Sequence, residues 1–295
     1  PLISPQEFFN QYDQNSVPMP RLSDPAQWPT HPVIDEYRRI YNYNDYFDQD
    51  RTRLAVANYY GLCSYLDDLI GKVIETINST GFRKDSYILY ASDHGENLGV
   101  RGLWGKSVMY EESVVVPMII AGPDVPAGKR SKTPVSLVDV FATAMDIFDL
   151  SPSDDIVRPG KSLREIACAK TDEPARPIYS EYHASGSLTG HFMVRVGKWK
   201  YIAYPGYAPQ LFDLEQDPLE INDLGESSEN IDIRAECDAA LRKIVDVEAV
   251  NSLAFSDQKA RIEQFGGAEK IRARGSYGYS PPPGETTEFV AEPQK

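Results

Sequence analysis

The sequence predicts an α/β domain over residues 1–165, followed by a smaller antiparallel α+β region over 166–295. Three observations carry that expectation. Apolar residues recur at helical spacing across positions 54–77, and two short β-branched runs at 86–90 and 114–120 lead into another helix at 137–148. Beyond residue 165 the apolar runs shorten to strand length and are punctuated by tight turns.

Residues 1–49 contain Pro18, Pro20, Pro25, Pro29 and Pro32 among many Tyr, Asn and Asp, which predicts an irregular arm without long helices. Asp50 is the expected N-cap of a helix whose stripe includes Leu54, Leu62, Leu66, Leu69 and Val73, stopped by Asn78-Ser79-Thr80-Gly81. Residues 86–90 and 114–120 read as buried strands, with Pro117 placing the second at an edge or a bulge. Leu137, Val140, Phe141, Ala144 and Phe148 form the stripe of the next helix. Strands are then expected at 178–182, 192–196, 199–204 and 210–214, the middle pair joined by Gly197-Lys198 as a hairpin turn. Helices at 231–250 and 257–265 complete the pattern.

The composition narrows the function. The 295 residues include 44 acidic and 30 basic side chains, a formal net charge of -14, and the mean hydropathy is -0.42. Such a field repels nucleic acid and anionic membrane surfaces, so neither is expected as a partner. The longest apolar stretch, 113–122, is broken by Pro117 and falls well below the roughly 20 residues of a membrane span. Cys63, Cys168 and Cys237 form neither a disulfide framework nor a thiolate zinc motif, and their small number points to the cytoplasm. The tail at 277–284, with its Tyr, Gly and three consecutive prolines, reads as an arm that packs on a neighbour in a homo-oligomer.

Ligands of open α/β sheets sit beyond the carboxyl ends of strands, and Asp93-His94-Gly95 occupies such an end. A carboxylate beside an imidazole suits a divalent metal, although the same tripeptide also serves as a plain turn. The glycine-punctuated loop that follows carries Arg101 and Lys106, which read either as solvated charges or as cations facing an oxyanion.

The run YASDHGENLGVRGLWGK at 90–106, then VPMIIAGP at 116–123, resembles the carboxyl-terminal half of a type I sulfatase of the alkaline phosphatase superfamily, choline-sulfatase-like in character. The likeness continues through SLVD at 136–139, SEYHASG at 180–186, FMVRVGKWKY at 192–201 and QLFDLEQDPLE at 210–220. It implies an alkaline-phosphatase-type sandwich, represented by its later strands and helices, with a small antiparallel sheet. It also implies hydrolysis of a small or saccharide sulfate ester to an alcohol and inorganic sulfate. Asp93 and His94 would then be metal ligands, and Lys106 would meet the sulfate group and the bridging oxygen of the leaving alcohol. Arg101, Glu181 and His183 would contact the substrate. Calcium is the metal the resemblance implies, with manganese or magnesium as alternatives.

One departure stands out. The family's Cys/Ser-x-Pro-x-Arg motif, whose first residue becomes formylglycine, has no match here; Ser23-Asp24-Pro25-Ala26-Gln27 has Gln where Arg is needed. The expectation is therefore that the nucleophile half precedes Pro1 and that this chain alone is inactive. Two rivals stay open: a phosphonate or phosphate ester hydrolase of the same superfamily, and a noncatalytic half needing a separate nucleophile-bearing chain. Asp213, Asp217 and Glu220 resemble metal ligands by composition, but the expected reading is a turn into a short helix with Glu220 at its N-terminus.

Overall fold

The computed structural model describes residues 2–151 and 159–275. In chain order the helices and strands are α1 (Gln6–Phe9), α2 (Pro32–Tyr41), α3 (Gln49–Ser79), β1 (Ile88–Ala91), α4 (Glu111–Val114), β2 (Met118–Ala121), α5 (Val138–Ile147) and α6 (Leu163–Cys168). There follow β3 (Ile178–Tyr182), β4 (His191–Val196), β5 (Trp199–Ala203), β6 (Gln210–Asp213), α7 (Ile231–Arg242), α8 (Val247–Gln264) and α9 (Ala268–Arg274). The chain divides after Ile244 into two compact units, so the change of character expected near residue 165 falls inside the first. The expected oligomer arm at 277–284 lies outside the described residues. Among the described residues no helix is long and apolar enough to cross a membrane.

The N-terminal segment is more ordered than its prolines suggested. Pro32 occupies the first turn of α2, where a missing N–H costs nothing, and the His31 ring accepts from the Val33 N–H at 3.3 Å. Asn42 ends the helix in the left-handed conformation. Far from being an arm, α2 buries Val33, Ile34 and Tyr37 in the main core with Leu103, Val108, Met109, Met193, Ile202 and Phe212.

Helix α3 starts two residues earlier than expected, because Asp48 rather than Asp50 is the cap and accepts from the Arg51 N–H at 2.8 Å. Its predicted stripe is only partly covered: Leu66, Leu69 and Val73 stay exposed, as do Ile119 of β2 and Phe141 of α5. Strands β1 and β2 are shorter and less buried than expected, and they form an antiparallel pair with Leu89 opposite Ile120. Residues 111–114 turn out helical, and Pro117, which lacks an N–H, delays entry into β2 until Met118.

The second sheet is antiparallel in the order β3-β4-β5-β6, and Val196 pairs with Trp199 across Gly197-Lys198 as a tight hairpin requires. Helix α7 covers it, burying Cys237 and Leu241, while Asp238 accepts from the Tyr201 hydroxyl at 3.1 Å. The helix expected to run to residue 250 stops at Arg242. Asp246 caps a new helix by accepting from the Ala249 N–H at 3.0 Å, and α8 then runs unbroken across the gap expected before residue 257.

Candidate active site

Strand β1 delivers Asp93 and His94 two and three residues beyond its end. The Ser92 hydroxyl donates to the His94 carbonyl at 2.8 Å, and the His94 N–H donates to Asp93 Oδ1 at 3.1 Å, closing a compact turn. His94 Nδ1 sits 2.8 Å from the Gly95 carbonyl, a contact that places the proton on Nδ1 and the lone pair on Nε2. That lone pair accepts from Lys106 Nζ at 2.6 Å, and Asp93 Oδ2 lies 3.2 Å from the same nitrogen. The three residues expected to do the chemistry are therefore brought together.

Gly95 must be glycine for a steric reason: a Cβ there would lie 2.0 Å from the Glu112 carbonyl oxygen. Its N–H donates to the Ser113 carbonyl at 2.8 Å, which anchors the turn on α4.

The loop carrying Lys106 is pinned at both ends. Glu96 Oε1 accepts from the Leu98 N–H at 3.0 Å and the Gly105 N–H at 2.7 Å, while buried Asn97 donates to the Gly105 carbonyl through its backbone and its side chain. With both polar groups of Gly105 held, the start of Lys106 is fixed. Gly102 has φ +66, and the Trp28 ring fills the space a side chain would need. Sequence reasoning passed over Glu96, Asn97 and Ser113; a carboxylate and an amide opening a glycine-rich loop were the available signal.

Arg101 is not in the cavity. It is wholly buried, paired with Glu112 at 2.7 Å, donates to the Leu219 carbonyl and lies 4.3 Å from the centre of the Tyr110 ring. The expectation that it contacts substrate is corrected by these partners, which absorb its guanidinium inside the fold. Nor is Glu220 at a helix N-terminus. It is buried on a turn at φ +52, 2.7 Å from Lys200 Nζ, and accepts from the Glu111 N–H at 2.7 Å. Burial raises the Glu220 pKa, and Lys200 opposes that rise. Lys200 also meets Glu111 at 2.5 Å.

A cavity of about 540 Å³ extends from Asp93, His94 and Lys106 past Glu111 and Lys200 to Glu181. Glu181 lines it from the edge strand β3 and accepts a hydrogen bond from the Tyr179 hydroxyl. His183 stands behind rather than in the lining: its Nε2 is 3.1 Å from Glu181 Oε2 and its ring packs edge-on against Phe192. The far wall, Pro134–Val138, is held by buried Asp139, which accepts from the Ser136 N–H and binds Arg176 through two contacts at 2.7 and 2.8 Å.

A divalent cation fits the donors present. Asp93 offers an exposed carboxylate, and the His94 tautomer leaves a nitrogen lone pair directed to the same side. Among the described residues no cluster of three or more acidic, His or Cys side chains suited to a metal occurs; Asp93 and His94 present two donors.

Comparison with known proteins places the chain in a family. The family model "Sulfatase" matches residues 10–150, and the model "N-sulphoglucosamine sulphohydrolase, C-terminal" matches residues 99–246. Arylsulfatase K of Danio rerio is 32% identical over 269 residues, covering 88% of this chain and 50% of that protein. Choline-sulfatase of Rhizobium meliloti (strain 1021) is 39% identical over 182 residues, covering 61% and 35% respectively. The chain thus spans half or less of the length of these curated relatives. A phosphonate monoester hydrolase from Silicibacter pomeroyi superposes with a TM-score of 0.71 at 23% identity, over 85% of this chain and 54% of that one, a likeness of fold. With the matched segments running through the Asp93–Lys106 site and on across the small sheet, the chain belongs to the sulfatase family and has its alkaline-phosphatase-like fold.

Proposed function

We propose that the whole protein hydrolyses a sulfate ester to an alcohol and inorganic sulfate, with this chain supplying part of the metal site and the cation that faces the leaving oxygen. The observation that carries the reading is the contact of Lys106 with His94 beside Asp93, at the end of a strand and the mouth of the cavity. Sulfatases as a family use a divalent metal and a formylglycine; the metal, when bound, neutralises the oxygens of the sulfate group. Calcium is the ion proposed here, with manganese or magnesium as alternatives, and Asp93 and His94 would hold it.

Lys106 donates to the bridging oxygen, where negative charge grows as the ester bond breaks, and a preorganised ammonium in that place lowers the barrier. Glu181 takes hydrogen bonds from the alcohol part, and His183 fixes the carboxylate from behind. The glycine-pinned loop holds the lysine in place before substrate arrives, so little reorganisation is needed. The test is turnover of an aryl sulfate and of a phenyl phosphonate by the whole protein and by its Lys106→Ala variant. Sulfate turnover that collapses in the variant supports the reading; phosphonate turnover without sulfate turnover would replace it.

A further inference from the structure

We propose that Ser113 is the positioning residue that sets Lys106 against the Asp93-His94 turn, an inference that rests on the proposed sulfatase reaction. Ser113 is 2% exposed and belongs to α4, a single helical turn between the loop of Lys106 and strand β2. It makes two contacts of different kinds. Its backbone carbonyl accepts from the Gly95 N–H at 2.8 Å, and its hydroxyl donates to the Lys106 carbonyl, which also accepts from the Val108 N–H at 2.8 Å. One residue therefore ties together the turn that offers metal donors and the backbone of the catalytic lysine.

The clamp has a rigid base. The two carboxylates preceding Ser113 are both engaged by largely buried cations, Glu112 by Arg101 at 2.7 Å and Glu111 by Lys200 at 2.5 Å. Glu220 adds a further hold by accepting from the Glu111 N–H. Helix α4 is too short to be stable by itself and is fixed by these partners. The close fit of Gly95 against the Glu112 carbonyl leaves the turn no room to slide. Loss of the Ser113 hydroxyl leaves the fold's core untouched and frees the Lys106 backbone to drift from the turn.

Ser113→Ala tests this with two readouts. Amide exchange in the chain itself should quicken about tenfold at Val108, which shares the Lys106 carbonyl with the lost hydroxyl, the scale of one buried hydrogen bond, while Gly95, still held by the Ser113 backbone carbonyl, and Val194 in the core strand β4 exchange as before. In the whole protein, kcat for an alkyl sulfate should fall about tenfold and less for a nitrophenyl sulfate, with KM and metal content unchanged. Exchange that rises equally at Val194, or not at all at Val108, would overturn the clamp. Selective exchange with turnover unchanged on both esters would overturn its positioning role. A wild-type protein without sulfate-ester turnover would refute the proposed function instead, and the exchange readout alone would then decide whether Ser113 joins the two segments.

Discussion

Lys106 Nζ lies 2.6 Å from His94 Nε2, although twelve residues separate the two in sequence. The loop between them doubles back, so a cation is held against the nitrogen lone pair that a metal would use. Under the proposed function, His94 would give that nitrogen to the metal, and Lys106 would be free to face the sulfate group.

Replacement of Lys106 by Ala should lower kcat of the whole protein by about two to four powers of ten for an alkyl sulfate, the scale of a lost oxyanion donor. The loss should be smaller for a nitrophenyl sulfate, whose leaving oxygen needs less help. Metal content should remain normal. A rise in KM alone, equal for both esters, would show that Lys106 only attracts the anion.

If Asp93 and His94 hold the metal as proposed, Asp93→Ala and His94→Ala should each weaken metal binding and turnover together. Metal titration followed by calorimetry reads the first effect without any assay of activity. Full metal affinity in either variant would remove that residue from the ligand set.

Arg101→Met should act on stability rather than on substrate affinity. Removal of the guanidinium leaves Glu112 only the exposed Arg21 at 3.2 Å and the Leu219 carbonyl without its donor, at a cost of about 3 kcal/mol in chemical denaturation. KM should be unchanged in whatever fraction stays folded. A variant of full stability with raised KM would restore Arg101 to the substrate site.

Acid should weaken the contact between α5 and α6. Asp146 on α5 is held down to about 2, first by hydrogen bonds from Arg164 and then by the Ser162 hydroxyl. A depressed carboxylate contributes stability above its unfolded value of about 3.9, and that contribution disappears as pH falls through about 2. The difference in Tm between wild type and Asp146→Asn should therefore be largest at neutral pH and vanish near pH 2. A difference independent of pH would exclude the linkage.

The legible parts of the fold were those set by local pattern. Strands β3 to β6 emerge within a residue of expectation because alternation and the Gly197-Lys198 turn are short-range signals. The end of α7 was missed because Lys243 and Ile244 continue a helical composition, and only the side-chain bond of Asp246 marks the restart. Helix α2 was missed for the opposite reason: prolines were weighed as breakers, whereas Pro32 sits at the one helical position that tolerates it.

In the site, order and spacing of motif residues made Asp93, His94 and Lys106 visible. Arg101 looked identical to Lys106 on paper, a cation in a glycine-rich loop. Its fate is decided by Glu112 and by the carbonyl of Leu219, more than a hundred residues away, and no local pattern reports such a partner. Ser113 was equally silent, since its importance lies in one backbone carbonyl and one hydroxyl that only the folded chain directs at the same place.

The burial of α2 against the far sheet bears on how the chain reaches this state. Val33, Ile34 and Tyr37 share a core with Met193, Ile202 and Phe212, so two stretches about 160 residues apart must meet before that core exists. Contacts of such long sequence separation slow folding, because the entropy of closing the intervening loop is lost before the apolar gain arrives. Leu103, Val108 and Met109 lie inside that closing loop and join the same core. The segment bearing Lys106 thus packs on a core that is complete only with that closure, and a nascent chain released before residue 212 would carry Asp93, His94 and Lys106 without the whole scaffold that aligns them.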